Sequence, residues 1–201
     1  AIKLAAGLFG IELIECGLVT TPQLHHYVRS FNQIMGCSVD QAEREYLKSL
    51  AASFTDSFIG TSELVIDCAN GVGALTMKKL IPLLPADISI SLVNTGSTGE
   101  LNDRCGADYV KLNQCPPEGL QGRPGVHYAS FDGDADRVVF YRFDEEGKFH
   151  LLDGDRIAVL LAETFQNLIT DTNIRIGVVQ TAYANGASMA HLRKMVLYIL
   201  V

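Results

Sequence analysis

Residues 63–75 read ELVIDCANGVGAL, and their reading decides the fold. Glu63–Cys68 is a run rich in β-favouring apolar residues, ANGVGA is a tight turn, and helical spacing resumes from Leu75 to Leu84. Downstream, Ile88–Val93 alternates apolar residues with Ser, as a half-buried strand does. A polar loop over 94–104, a short helix near Gly106–Asn113 and the irregular segment QCPPEGLQGRPG follow. Strands are expected at Val126–Phe131 and Arg137–Phe143. EEGK then turns the chain into a hairpin partner at Phe149–Leu152. Asp153 or Asp155 caps a helix to about Ile169, and Ile174–Thr181 is the next strand. Upstream, residues 2–15 carry helical spacing. Thr21-Pro22 opens a helix to about Phe31 with Thr21 as its cap, and Val39–Phe58 forms a longer one. Helices alternating with strands predict an α/β fold: a layered α/β/α domain whose hairpin makes the sheet mixed, flanked by partial neighbouring domains.

A chain of 201 residues can hold one such domain and pieces of its neighbours. With 48% hydrophobic and 19% charged residues it has the makings of a packed core. The net charge of −7 argues against nucleic acid or an anionic membrane held by bulk electrostatics, while a local basic pocket for a phosphate ester stays open. The five cysteines are odd in number and contain no C-x-x-C, which predicts reduced thiols in a cytoplasmic protein. No stretch is long and apolar enough to span a bilayer, so no membrane partner is expected. AIKLAAGLFGIELIE at the start lacks a signal-peptide cleavage pattern. Both ends read as cut. Ala1 falls inside an amphipathic pattern, and MVLYILV (195–201) resembles a strand halted before its turn, leaving an apolar edge unpaired.

Several candidate motifs have plain structural readings. Gly71–Thr76 is G-x-G-x-x-T, but a dinucleotide fingerprint wants Gly where Thr76 sits and an acid where Asn94 sits, so a tight strand-to-helix turn is expected. His25 and His26 point about 100° apart on a helix and do not chelate one metal; one packs and one is exposed. Cys68 reads as core.

FDGDADR (131–137) is different, because Asp132, Asp134 and Asp136 crowd like charges that need a reason. An EF-hand loop counted from Asp132 would want Gly at Arg137 and Glu at Phe143, so that reading fails twice. A D-x-D nucleophile and acid pair explains neither the third Asp nor Arg137. Two readings remain open on spacing: a hard divalent cation held by three monodentate carboxylates, or a solvated acidic turn. Under the first, Gly133 and Ala135 keep the loop compact and Arg137 sits at the rim, suited to a phosphate.

FDGDADR, followed by a strand, a hairpin and LLDGDRI (151–157), resembles the magnesium loop of the α-D-phosphohexomutase superfamily. TTPQLHHYV (20–28), IDCANGVGAL (66–75), GELNDRCGADYVK (99–111) and GVVQTAYANGAS (177–188) resemble its phosphoacetylglucosamine mutase branch. The resemblance runs from about Leu18 to Ser188. It implies a four-domain enzyme. Residues 1–36 would be the end of a first, phosphoserine domain, 37–172 a second, Mg²⁺-binding domain, and 173–201 the truncated start of a third, sugar-binding domain. It implies that Asp132, Asp134 and Asp136 ligate Mg²⁺ and that Arg137 is a catalytic residue near the transferred phosphoryl group. The implied reaction interconverts N-acetylglucosamine 6-phosphate and 1-phosphate through a phosphoserine and a bisphosphate intermediate, for UDP-N-acetylglucosamine synthesis. The partners implied are that sugar phosphate and the missing domains of the same polypeptide. No T-A-S-H-N-P-like serine loop or E-A-N-G-H-G-like sugar loop occurs in the chain, so alone it is expected to be inactive. A sister mutase acting on glucose or mannose phosphates, and a non-catalytic Mg²⁺-binding product, are the alternatives.

Overall fold

The computed structural model describes residues 1–169, 174, 177–182, 184–195 and 198–200. Three helices open the chain: α1 (Ile2–Leu8), α2 (Thr21–Gln33) and α3 (Val39–Ser57). The helical spacing over 2–15 is realised only to Leu8. There Gly10 takes a φ of +64°, and the Gly10 and Ile11 N–H groups reach back to Gly7 and Ala6, a Schellman stop that glycine permits. Thr20, not Thr21, caps α2. Its hydroxyl accepts from the Gln23 N–H while the Gln23 side chain accepts from the Thr20 N–H, and Pro22 occupies the first turn. Gln23 Oε1 also accepts from the Thr76 hydroxyl at 2.9 Å, tying α2 to the sheet domain. His25 is exposed and His26 half-buried against Tyr46.

The central sheet has the order β2-β1-β3-β4-β5, built from β1 (Ser62–Asp67), β2 (Ile88–Val93), β3 (His127–Phe131), β4 (Val138–Phe143) and β5 (Phe149–Leu152). β1 pairs in parallel with β2 and β3, and β3-β4-β5 is an antiparallel meander. The sheet is therefore mixed. α4 (Gly73–Leu80) lies on one face with Ile66, Cys68 and Ala74 in its core. α5 (Gly106–Asn113) lies on the other, where Val65, Ala107, Val110, Tyr128 and Tyr141 pack together. Alternate residues of β1 feed the two cores, as the strand period of two requires. The layers are those expected from ELVIDCANGVGAL.

After β5 come α6 (Gly154–Leu168), capped by Asp153, then β6 (Gly177–Val179), α7 (Gly186–Lys194) and β7 (Tyr198–Leu200). β6 and β7 pair in parallel, so the apolar end of the chain has a strand partner. α7 is absent from the sequence reading; Asn185 caps it, accepting from the Ala187 N–H at 2.9 Å. The expected strand 174–181 is seen at Gly177–Val179. The expected division between 172 and 173 lies outside the described residues.

β1 leads to β2 on one side, and the chain then returns to place β3 on the other. Their carboxyl ends thus form a topological switch point, where open α/β sheets bind ligands. The loops after β1, β2 and β3 meet there.

Candidate metal centre

FDGDADR is the hairpin loop between β3 and β4, closed by the Phe131–Val138 pair. Asp132 organises it from within. The residue is 4% exposed, and Oδ1 accepts from the backbone N–H groups of Asp136 and Arg137, each at 3.1 Å. Ala135 adopts a left-handed φ of +57°, which folds the loop so that Asp134 and Asp136 come round beside Asp132. One carboxylate oxygen from each of the three lies within 4.8 Å of the others, the one such metal-ligating group among the described residues. Asp134 and Asp136 are exposed, so the cluster opens to solvent.

The charges are unequal. Burial works against ionised Asp132, but the Arg137 backbone N–H, Asp136 and the Arg137 guanidinium outweigh it and hold the carboxyl below its usual range. Asp136 is pushed up, first through its hydrogen bond with Asp132 and then by the charges of Asp132 and Asp134. A divalent cation removes that repulsion. The donor set is entirely carboxylate oxygen, which suits a hard ion such as Mg²⁺ and not zinc. Two oxygens opposite each other on Mg²⁺ stand about 4.2 Å apart. Neighbouring oxygens stand about 3.0 Å apart, so the carboxylates of a 4.8 Å cluster must draw together, which exposed Asp134 and Asp136 are free to do. The residues present fit the ion. They do not fit a phosphatase-type nucleophile at Asp132, because both of its oxygens already accept hydrogen bonds in a buried setting.

Arg137 stands at the rim as expected, with its side chain 58% exposed. Its Nε donates to Asp132 Oδ2 at 2.9 Å. Its two terminal nitrogens fork onto Asp108, at 2.5 Å to Oδ1 and 3.0 Å to Oδ2. That hydrogen-bonded fork, more than anything else, raises the guanidinium's hold on its proton. Asp108 was missed by the sequence reading; 29 residues separate it from Arg137 and no local pattern links them.

Asp67 was missed as well. It ends β1 fully buried, and no cation pairs with it among the described residues. Oδ1 accepts from the Ala69 N–H at 3.0 Å and the Asn94 amide at 2.8 Å, and Oδ2 from the Gly106 N–H at 2.6 Å. One carboxylate thus joins the ends of β1 and β2 to the first residue of α5, the helix that carries Asp108. Asn94, where a dinucleotide site would need an acid, is a partner of this buried one.

The turn after β1 presses on the metal loop. The Val72 N–H donates to the Gly133 carbonyl at 3.0 Å. A Cβ on Gly71 would stand 2.8 Å from both the Cα and the carbonyl carbon of Gly133. The G-x-G turn is thus a structural turn, as expected, whose first glycine allows a close backbone approach. Beside Asp134 opens a cleft of 530 Å³, walled also by Val19, Asn70, Gly71, Gly96 and Leu101.

Comparison with known proteins bears on what this geometry serves. A family model described as phosphoacetylglucosamine mutase AMG1, domain II, matches residues 42–139, and the model of domain III matches 153–200. The chain belongs to the phosphoacetylglucosamine mutase family. It is 41% identical over 198 residues to the phosphoacetylglucosamine mutase of Sus scrofa, covering 94% of this chain and 36% of that protein. The phosphoacetylglucosamine mutase 1 of Schizosaccharomyces pombe is 40% identical over 209 residues, covering 96% of this chain and 40% of that protein. Among solved structures, Aspergillus fumigatus N-acetylphosphoglucosamine mutase, crystallised with GlcNAc-6P and magnesium, superposes with a TM-score of 0.86 at 38% identity. That match covers 99% of this chain and 40% of the other. The chain therefore spans well under half the length of these phosphoacetylglucosamine mutases.

Proposed function

We propose that this chain supplies the cation-binding part of a phosphoacetylglucosamine mutase, interconverting N-acetylglucosamine 6-phosphate and 1-phosphate through a phosphoserine and a bisphosphate intermediate. The observation that carries the reading is the convergence of Asp132, Asp134 and Asp136 at the carboxyl end of β3 in a chain of this family. Asp132, Asp134 and Asp136 hold Mg²⁺, and Arg137 faces the transferring phosphoryl group. Bound Mg²⁺ neutralises charge on that group and supports in-line transfer. Asp132 orders the loop through its accepted hydrogen bonds, Asp134 and Asp136 supply the exposed oxygens, and Arg137 offers N–H donors to phosphate oxygens. The serine, the sugar clamp and the second phosphate clamp belong to other domains of the same polypeptide. The five cysteines are free, which favours the cytoplasm. No helix among the described residues is long and apolar enough to cross a membrane.

The proposed division is 1–36, 37–172 and 173–201 for the first, second and third domains. The third-domain family model starts at Asp153, within the second of these spans. α6 is therefore the element whose membership truncations before Asp153 and after Ile169 would decide, by which of them retains cooperative unfolding.

The test is turnover of N-acetylglucosamine 6-phosphate by the full-length protein carrying this chain, with Mg²⁺ and glucose 1,6-bisphosphate as primer. Asp134→Asn is expected to nearly abolish turnover, lowering kcat by more than about 100-fold, the upper end of what loss of a group that only orients a ligand costs. Chelation should abolish turnover and Mg²⁺ restore it. Retained activity in Asp134→Asn removes the aspartates from the mechanism, and faster turnover of glucose or mannose phosphates assigns the chain to a sister mutase.

A further inference from the structure

Arg137 poses a problem for a cation site. Its Nε contacts Asp132, and Asp136 Oδ1 lies 3.6 Å away, so a positive charge already sits against two of the three proposed ligands. A guanidinium's strongest grip on a carboxylate is the two-pronged one, through paired N–H groups. Turned onto Asp132 or Asp136, that edge would make Arg137 a resident counter-ion competing with the metal. Here Asp108 takes the terminal edge, and of the other edge, which pairs Nε–H with a terminal N–H, only Nε–H hydrogen-bonds to the cradle.

Asp108 is well placed to hold it. It lies in the first turn of α5, whose Gly106, Ala107 and Val110 are buried against the sheet. The Gly106 N–H is pinned to buried Asp67, so the helix start is anchored to β1. A Cβ on Gly106 would fall 2.8 Å from the Ala69 Cβ, so α5 sits hard against the loop after β1. The carboxylate that grips Arg137 is thus mounted on a rigid element, although its own side chain is 61% exposed.

We propose that Asp108 is a positioning residue: by holding the terminal edge of Arg137 it keeps the guanidinium from turning both prongs of either edge into the three-aspartate cradle, fixes the single Nε contact that orients Asp132, and so raises the cradle's affinity for a divalent cation. The inference rests on the metal reading above and goes beyond it, because Asp108 is not one of the three clustered aspartates. It acts through Arg137.

The test is Mn²⁺ binding to the 201-residue chain, read by the loss of the free-ion electron paramagnetic resonance signal, which needs no turnover. Asp108→Asn is expected to weaken Mn²⁺ binding by about tenfold, the scale for groups that orient metal ligands. Asp108→Glu should recover most of that loss. Removing a nearby negative charge weakens cation binding by itself, so Arg137→Ala supplies the second arm. In that background Asp108→Asn should change Mn²⁺ affinity by less than about twofold, since the residue it positions is gone. An equal loss with and without Arg137, or no loss in the single variant, overturns the inference and leaves the metal reading standing. A parent chain that does not bind Mn²⁺ overturns both. Unfolding midpoints without metal should stay together across these exposed substitutions; a fall in Asp108→Asn matching the affinity loss would make Asp108 structural and refute the proposal.

Discussion

Gly71 gives the sharpest handle on the site, because the turn after β1 and the metal loop are in backbone contact there. In Gly71→Ala the new methyl would stand 2.8 Å from both the Cα and the carbonyl carbon of Gly133, and closer still to its oxygen. Carbon atoms pack at about 3.5–4.0 Å, so the two segments must part by roughly 1 Å. The obstacle is backbone on both sides, with no flexible side chain to swing away. Separation also strains the 3.0 Å bond from the Val72 N–H to the Gly133 carbonyl. Overpacking of this kind costs about 1–3 kcal/mol of stability. Gly133 lies between Asp132 and Asp134, so the same displacement spreads the carboxylates, and a shift of about 1 Å in a reacting geometry costs on the order of 100-fold in rate. The assay pairs urea unfolding with Mn²⁺ titration. Gly71→Ala should lower the unfolding midpoint and weaken Mn²⁺ binding together. Gly154→Ala is the control, since a Cβ there meets nothing within 4 Å at the start of α6; it should be neutral or slightly stabilising. Parental Mn²⁺ affinity and stability in Gly71→Ala would show that the turn does not brace the loop, and the account of the site would fail.

Asp67→Asn tests the buried junction. An amide cannot accept from Ala69, Asn94 and Gly106 at once, so one buried donor loses its partner, at about 1–3 kcal/mol by urea unfolding; an unchanged midpoint would refute the role given to Asp67. At the β4–β5 hairpin, the hydrogen bond with His150 and then the Lys148 backbone N–H hold Asp144 below the usual carboxylate range. A carboxyl whose folded value is depressed stabilises the fold above its unfolded value, about 3.9, and that contribution fades as pH falls through the folded value. Asp144→Asn should therefore flatten the acid limb of a stability–pH profile from about pH 5 downward, and an unaltered acid limb would refute the pairing.

What was legible in the sequence was whatever local chemistry writes. The strand ELVIDC, the Ser-alternating Ile88–Val93, the hairpin around EEGK and the Asp153 cap all encode their geometry within a few residues, and the structure has them. The aspartate loop was legible for the same reason, since its carboxylates lie two residues apart and the loop folds on itself. Misses fall where tertiary context decides. Apolar spacing over 2–15 promised more helix than the left-handed turn at Gly10 allows. α7 has a usable signal in Asn185, but its short, weakly patterned run of residues carries little periodicity.

The site's supporting residues are the instructive misses. Asp67 reads as the polar end of a strand, and Asp108 as one more acid in the first turn of a helix, favourable there on dipole grounds alone. Neither has a partner nearby in sequence: Asp67 reaches Gly106 across 39 residues and Asp108 reaches Arg137 across 29. Only the order β2-β1-β3 brings them together, because it places the ends of β1 and β3 side by side with α5 above them. The motif therefore specifies the proposed ligands, while the topology brings up the carboxylates proposed to orient them. The division has a consequence for variants of the two kinds. Changing a ligand should abolish cation binding outright. Changing Asp67 or Asp108 should leave a loop that still binds, less tightly, with Arg137 as its competitor.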